Sequence, residues 1–235
     1  DFILNEYVTS LKNVSVGTAW TKVIIPIPDA SRLKQERGMF RYSAGTQGTN
    51  GGGFTFWVDE LKFEKLGTIA HPRPSILKGE YVTISSFIGV NINLTDLTQT
   101  FNLDNGQDVT VAAAPKYFTF TSSDPSIVSV NEQGVLEILS GGTAVVTATL
   151  GNQEAKGSLT VNSLGNFDFA PTPTRDSSDI ISIFSDHYTN VPVDFYNGYW
   201  QPYQTTQSAH FAINGDNFLN YTNFNFVGIQ FANPT

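Results

Sequence analysis

Apolar and polar residues alternate in short runs along this chain, a period of two that belongs to strands with one buried face. In 53–64, Phe54, Phe56 and Val58 alternate with Thr55, Trp57 and Asp59 before the pattern shifts at Glu60. That run predicts the closing strand of a β-sandwich. Upstream, 20–28 predicts a strand ended by Pro26 and Pro28, which cannot donate to a ladder. A further strand is predicted at 39–44, followed by a glycine-rich loop through 45–53. From residue 83 the runs recur at roughly ten-residue intervals with turn residues between them, as in a sandwich. Strands are expected near 83–87, 91–94, 107–112, 117–122, 127–130, 135–139, 144–150 and 155–161, with turns at 131–134 and 140–142. Beyond them, 179–186 predicts the first strand of another sandwich.

Proline punctuates these runs. His71-Pro72-Arg73-Pro74 reads as a stiff extended linker, and Ala170-Pro171-Thr172-Pro173-Thr174-Arg175-Asp176 as a second. The chain therefore divides into 1–70, 75–163 and 167–235. The strand at 53–64 follows too few others to close a sandwich, and the strand at 179–186 has too few after it. The outer segments are expected to be parts of larger modules, and the chain the middle of a longer modular protein.

Composition supports an all-β class. The 235 residues include Phe 18, Tyr 9, Trp 3 and Gly 20, and only 14% are charged; disorder would need the opposite balance. The net charge is −8 and the 13 Lys and Arg form no cluster. Nucleic acid and anionic membrane both require a basic face, so neither is an expected partner; a neutral glycan fits better. The chain has no cysteine, which excludes disulfides, thiolate metal sites and cysteine nucleophiles. No stretch is long and apolar enough to span a bilayer.

One resemblance is carried by a run of motifs. Thr121-Ser122-Ser123-Asp124-Pro125-Ser126-Ile127-Val128-Ser129-Val130, then Gly134-Val135, then Gly141-Gly142-Thr143-Ala144-Val145-Val146-Thr147-Ala148-Thr149, resembles the bacterial Ig-like repeat of the second group. The resemblance implies an Ig-like sandwich over 75–163 that acts as a spacer. The 56–64 run resembles the terminal strand of a carbohydrate-binding jelly roll. The run from Asp179 to Val191, with 220–231, resembles the opening of jelly-roll modules appended to secreted polysaccharide-degrading enzymes and glycan-binding proteins of Bacteroidetes. These likenesses imply two partial jelly-roll modules around the Ig-like domain.

Candidate chemistry is aromatic. The segment 194–204 packs five aromatic residues among turn-forming polar ones. Sugar rings present flat C–H faces on which aromatic rings stack, and adjacent amides can hold the hydroxyls. Tyr199, Trp200 and Tyr203 are the candidate stacking residues, with Gln201 and Gln204 for hydroxyls; alternatively Trp200 and Phe195 plug the end of a sandwich. Trp57, opposite Phe54, Phe56 and Val58, is a second candidate platform, or is covered by a loop. The jelly-roll resemblance also implies structural calcium, with Asp59 on the closing strand as a candidate ligand of the first module, its natural partners expected before residue 1, and Asp179 and Asp186 as the equivalent opening-side candidates of the last module. Calcium takes six to eight oxygens, so solvated surface acids remain the alternative.

Catalysis is not expected. A glycosidase needs two carboxylates across a cleft, whereas Asp59 and Glu60 are adjacent in a predicted strand and point to opposite faces. His71, His187 and His210 lack metal-ligand spacing, and no nucleophile-elbow, P-loop or dinucleotide motif is present. The expected function is non-catalytic glycan binding and spacing in a secreted or cell-surface, outer-membrane-associated protein. Its partners would be a neutral polysaccharide or cell-surface glycan and other modules of the same polypeptide. The alternatives are a purely structural or adhesive sandwich array, and an accessory region of a polysaccharide hydrolase.

Overall fold

The structure is a computed structural model that describes residues 6–34, 38, 40–45, 52–200 and 202–231. It is all-β. The strands in chain order are β1 (Thr9–Ser10), β2 (Ala70–Ser75), β3 (Tyr81–Ser86), β4 (Asn91–Asn93), β5 (Thr98–Asn102), β6 (Asp108–Ala113), β7 (Phe118–Ser122) and β8 (Val128–Val130). They continue as β9 (Val135–Ile138), β10 (Gly142–Leu150), β11 (Gln153–Glu154), β12 (Ser158–Ser163), β13 (Val193–Phe195), β14 (Gln207–Ile213), β15 (Asp216–Thr222) and β16 (Gln230–Phe231). Helical structure among the described residues is limited to single 3-10 turns.

The middle domain is a β-sandwich. One layer has β12 between β10 and β3, with β7 on the far side of β10 and the short β11 folded back onto the end of β10. Strand β3 runs parallel to β12, from Tyr81 opposite Ser158 to Ser86 opposite Ser163. The other layer is built from β4-β9-β8 and from β1-β6-β5-β2. Alternation fills the space between the layers. Strand β10 turns Ala144, Val146, Ala148 and Leu150 inward, where they meet Leu159 and Val161 of β12, Val128 of β8, and Leu136 and Ile138 of β9. Each fully buried Val, Leu or Ile contributes about 1.5–3 kcal/mol relative to exposure. The buried members of this core all lie between Ile76 and Val161.

Side chains set the corners. At the β8–β9 turn the Asn131 Oδ1 accepts from the backbone N–H of Gln133 and of Val135, both at 3.0 Å. At the turn after β7 the Asp124 Oδ1 accepts from the N–H and hydroxyl of Ser126, at 3.0 and 2.6 Å. Ser123 Oγ accepts from the Val145 N–H at 2.9 Å, and Ser140 Oγ donates to the Ser126 carbonyl at 2.8 Å. The residues of the Ser-Asp-Pro-Ser motif are thus occupied in holding the fold.

Several sequence expectations are corrected. The linker expected at 71–74 is most of β2, which pairs antiparallel with β5. Proline favours extended backbone, and β2 lies at the edge of its sheet, where missing N–H groups can be tolerated. Strand β5 is hidden in the sequence because its inward positions are Gln99 and Phe101, so the run reads as polar.

The strands predicted at 20–28, 39–44 and 53–64 join no ladder among the described residues; residue 39 of the second run lies outside them. Among the described residues several of their large apolar side chains, Trp20, Phe54, Trp57 and Val58 among them, stay exposed, so alternation alone does not make them a sheet. Glu60 sits in left-handed backbone, and its N–H donates to Asp59 Oδ1 at 2.8 Å, so the extended run stops where the pattern shifts. What the first segment does contribute is β1, paired with β6. Tyr7 packs edge-on against Tyr117 at 5.2 Å and accepts the Tyr117 hydroxyl at its carbonyl, and Glu6 pairs with Lys116.

In the last segment the strand predicted at 179–186 is replaced by a 3-10 turn (Ser177–Asp179) and a single bridge between Ser182 and Asn190. The regular structure there is the two-stranded β13–β16 pair and the β14–β15 hairpin. The hairpin is closed by Asn214 and Gly215, both with positive φ, the chemistry of a two-residue turn whose twist matches its strands. Phe167 lies edge-on to Phe87 at 4.9 Å and to Phe218 at 4.6 Å, and Phe218 stacks on Phe211 at 5.7 Å. These rings fasten the hairpin to the middle domain through Phe167, which precedes the second predicted linker.

Candidate functional site

The aromatic segment leaves β13 as a loop pinned from several sides. The Gly198 N–H donates to the Gly228 carbonyl at 2.8 Å. Asn197 Nδ2 donates to the Thr206 carbonyl at 3.0 Å, and Gln204 Nε2 donates to Asn197 Oδ1 at 2.6 Å. Asn225 is the hub on the opposite side. Its Nδ2 donates to the Tyr203 carbonyl at 2.8 Å, and its Oδ1 accepts from the N–H groups of Thr205 at 3.0 Å and Phe226 at 2.9 Å. Thr206, buried beneath the loop, accepts from the Asn225 N–H at 2.9 Å.

On this frame Tyr199 is 85% exposed, Tyr203 79% and Trp200 56%. The Trp200 indole edge lies over two glycines: a β-carbon at Gly198 or Gly228 would stand 2.9 or 2.8 Å from its Nε1. Both positions must therefore lack a side chain for the ring to rest where it does. Part of Trp200 is thus seated in the fold and part is open. None of the three rings makes a ring–ring contact among the described residues.

The amides expected to hold hydroxyls fare differently. Gln204 is committed to the loop itself, since its Oε1 also accepts from the Trp200 N–H at 3.3 Å. Gln201 lies outside the described residues. Asn197, Thr206 and Asn225, which position the loop, were not singled out by the sequence. The one available signal was the asparagine-rich run 223–225, whose side chains hold turns by local hydrogen bonds.

Trp57 is 76% exposed in the run 53–64, which joins no ladder among the described residues. Among the described residues it belongs to neither sheet nor loop of the aromatic site. An open groove of about 490 Å³ is lined by Ser10, Lys12, Asp96, Thr98 and Thr110, and it shares no residue with the aromatic loop.

The candidate calcium ligands lie in two separate segments. Asp59 takes the Glu60 N–H, and Asp179 ends a 3-10 turn capped by Asp176. Asp186 uses both oxygens on Asn217, at 2.7 Å to its N–H and 2.8 Å to its Nδ2. These bonds from Asn217 hold the Asp186 carboxyl below the ordinary range. Asp216, which shares a hydrogen bond with Asp186, is pushed up by that bond, by burial and by the neighbouring charge. Among the described residues no three of His, Cys, Asp and Glu gather as a metal would need. His210 is packed edge-on against Phe184 and Tyr196, and His187 against Tyr188.

Comparison with known families addresses the middle domain. Residues 117–163 match the bacterial Ig-like domain family. The match spans β7 to β12, the Ser-Asp-Pro-Ser corner and most of the Ig-like core. No curated protein matches the chain. No helix among the described residues is long and apolar enough to cross a membrane.

Proposed function

We propose that this chain is a non-catalytic region of an exported bacterial protein, in which the Ig-like domain is a spacer and the 196–206 loop binds a neutral glycan. The observation that carries the reading is the exposure of Tyr199 and Tyr203 on a backbone fixed by Asn197, Gln204 and Asn225. Burying an exposed aromatic ring on a sugar face is favourable, and a rigid loop loses little entropy when it binds. With Gln204 engaged internally, recognition rests on stacking and on the tyrosine hydroxyls, so discrimination among neutral sugars is broad. Export agrees with the bacterial Ig-like match, since such domains are common in extracellular proteins. The acidic net charge of −8 agrees with an uncharged partner.

A second reading, a structural sandwich array, is favoured by the Phe87–Phe167–Phe218 contact, which makes the Ig-like domain and the hairpin one packed unit. Calorimetry on soluble neutral polysaccharides separates the two. Glycan recognition predicts a dissociation constant on the order of micromolar to millimolar, about −8 to −4 kcal/mol. It also predicts roughly tenfold weaker binding in a folded Tyr199→Ala/Tyr203→Ala variant, from two stacking contacts of about 0.5–1.5 kcal/mol each. Equal binding by that variant would remove the loop from the site.

A further inference from the structure

Asn105, Asn197 and Asn214 are each followed by glycine, as is Asn50, which lies outside the described residues. In such a pair the asparagine side chain is open to attack by the next backbone nitrogen, because glycine carries no β-carbon to shield it. An N–C bond forms between the glycine nitrogen and the side-chain carbonyl carbon, ammonia leaves, and a cyclic imide results. Water then opens the imide at either carbonyl and gives aspartate or isoaspartate. The reaction needs an uncommitted side chain, an uncommitted N–H and a backbone that can turn.

The fold supplies these conditions unequally. Asn197 donates to the Thr206 carbonyl at 3.0 Å and accepts from Gln204 at 2.6 Å, and the Gly198 N–H is held by the Gly228 carbonyl. Asn105 accepts from the Gln107 N–H at 3.0 Å and donates to Gln107 Oε1 at 3.1 Å, and the Gly106 N–H donates to the Leu103 carbonyl. Its turn also joins β5 to β6 inside a four-stranded sheet that buries Phe101 and Val111. Asn214 differs on every count. Among the described residues neither its side chain nor the Gly215 N–H makes a hydrogen bond, and both residues are exposed. A β-carbon at Gly215 would meet nothing within 4 Å. The hairpin has two strands, and six of the seven residues of β14 are exposed. A two-stranded pair is marginal by itself and opens locally more readily than a core sheet.

We propose that Asn214 is a site of spontaneous deamidation, converting through an imide with Gly215 while Asn105 and Asn197 persist. Its position gives the reaction a consequence. The Asn214 Oδ1 lies against Gly89, where a β-carbon would collide with it, and Phe87 of the same turn carries the contact to Phe167. Conversion adds a carboxylate there, two residues from Asp216, which already shares a hydrogen bond with Asp186. Isoaspartate also lengthens the backbone of a turn that fixes the register of its strands. Deamidation therefore loosens the hairpin from the Ig-like domain. None of the residues assigned to glycan binding takes part, so either idea can fail without the other.

Ageing the purified full chain in warm, mildly alkaline buffer tests this. Cleavage after aromatic residues places the asparagine–glycine pairs in separate peptides, and mass spectrometry with fragment sequencing follows each one. Asn214 should convert first, about tenfold faster than Asn105 or Asn197, the factor that one or two additional hydrogen bonds impose on local opening. In urea the three should convert at similar rates, since only the sequence then acts. The aged protein and Asn214→Asp should both show faster amide exchange across β14 and β15, with β10 and β12 unaltered, and Asn214→Gln should keep the hairpin protected on ageing. Conversion of Asn105 or Asn197 as fast as Asn214 in the folded chain, or a ranking that persists unchanged in urea, would overturn the proposal. Unaltered hairpin exchange in the aged protein would overturn the loosening.

Discussion

At the scale of single residues, hydrogen bonds decide what the chemistry of a side chain is used for. Gln99 is the sharpest case: it is 2% exposed and its Oε1 has no hydrogen-bond partner among the described residues. A buried carbonyl without a partner costs about 1–3 kcal/mol. Gln99→Leu is therefore expected to raise the urea midpoint of the Ig-like domain, by about 1 kcal/mol of stability once imperfect packing is allowed for. A lower midpoint would mean that the amide contributes a bond elsewhere. The acids follow the opposite logic. Asp124 is held below the usual carboxylate range by the side-chain hydrogen bond from Ser126, and Asp108 by the hydrogen bond from Arg73. A carboxyl with a depressed folded value contributes stability above its unfolded pKa of about 4, lost as pH falls through the folded value. The melting temperature of the Ig-like domain should thus drop below about pH 4, and Asp124→Asn should lessen the drop; an equally steep drop would show that Asp124 is not responsible. The aromatic segment itself was legible in the sequence as a polar, turn-rich run, and the exposure of Tyr199 and Tyr203 is what the structure adds. The engagement of Gln204 with Asn197, and of Asp186 with Asn217, was not legible, since each bond joins residues brought together only by folding.

At the scale of elements, alternation succeeded where a second layer exists and misled where none does. Strands β10 and β12 bury every second residue against β8 and β9, so their periodicity is a record of the core. The run 53–58 alternates equally well, yet Trp57 on one side and Phe54 and Val58 on the other are all exposed. Period two reports a capacity for pairing, and the partner is a separate matter. Proline misled in the opposite direction: Pro72 and Pro74 suggested a linker, but an edge strand satisfies the same backbone preference. The Asn214-Gly215 turn carried a strong hairpin signal that strand-by-strand alternation passed over, because β14 alternates weakly and has six exposed residues. Gly215 has φ near +88°, so Gly215→Val should strain the turn by about 1 kcal/mol or more. The expected readout is faster amide exchange across β14 and β15 with exchange in β10 and β12 unaltered; equal protection in the hairpin would show that the turn tolerates a side chain.

At the scale of the whole molecule, stability is concentrated in one sandwich, and the flanking segments lean on it. The core cluster runs from Ile76 to Val161, β2 extends the domain back to Ala70, and β12 closes it at Ser163. A protein comprising 70–163 should therefore unfold in one cooperative transition, as small single domains do. The first segment then adds a defined increment: two β1–β6 ladder positions, the Tyr7–Tyr117 contact and the tyrosine hydroxyl bond. An aromatic pair contributes about 0.5–1.5 kcal/mol and a hydrogen bond about the same, partly offset by the entropy of ordering residues 7–10. Extending the protein to 6–163 should accordingly raise stability by about 1–2 kcal/mol without changing cooperativity, measured by urea denaturation of the two lengths side by side. The denaturant slope decides between two origins of that gain. A nearly unchanged slope with a higher midpoint means that β1 is a short splint on a complete domain. A clearly larger slope means that residues 11–69 unfold with the domain and bury surface against it, and the Ig-like unit would then have to be redrawn to include them.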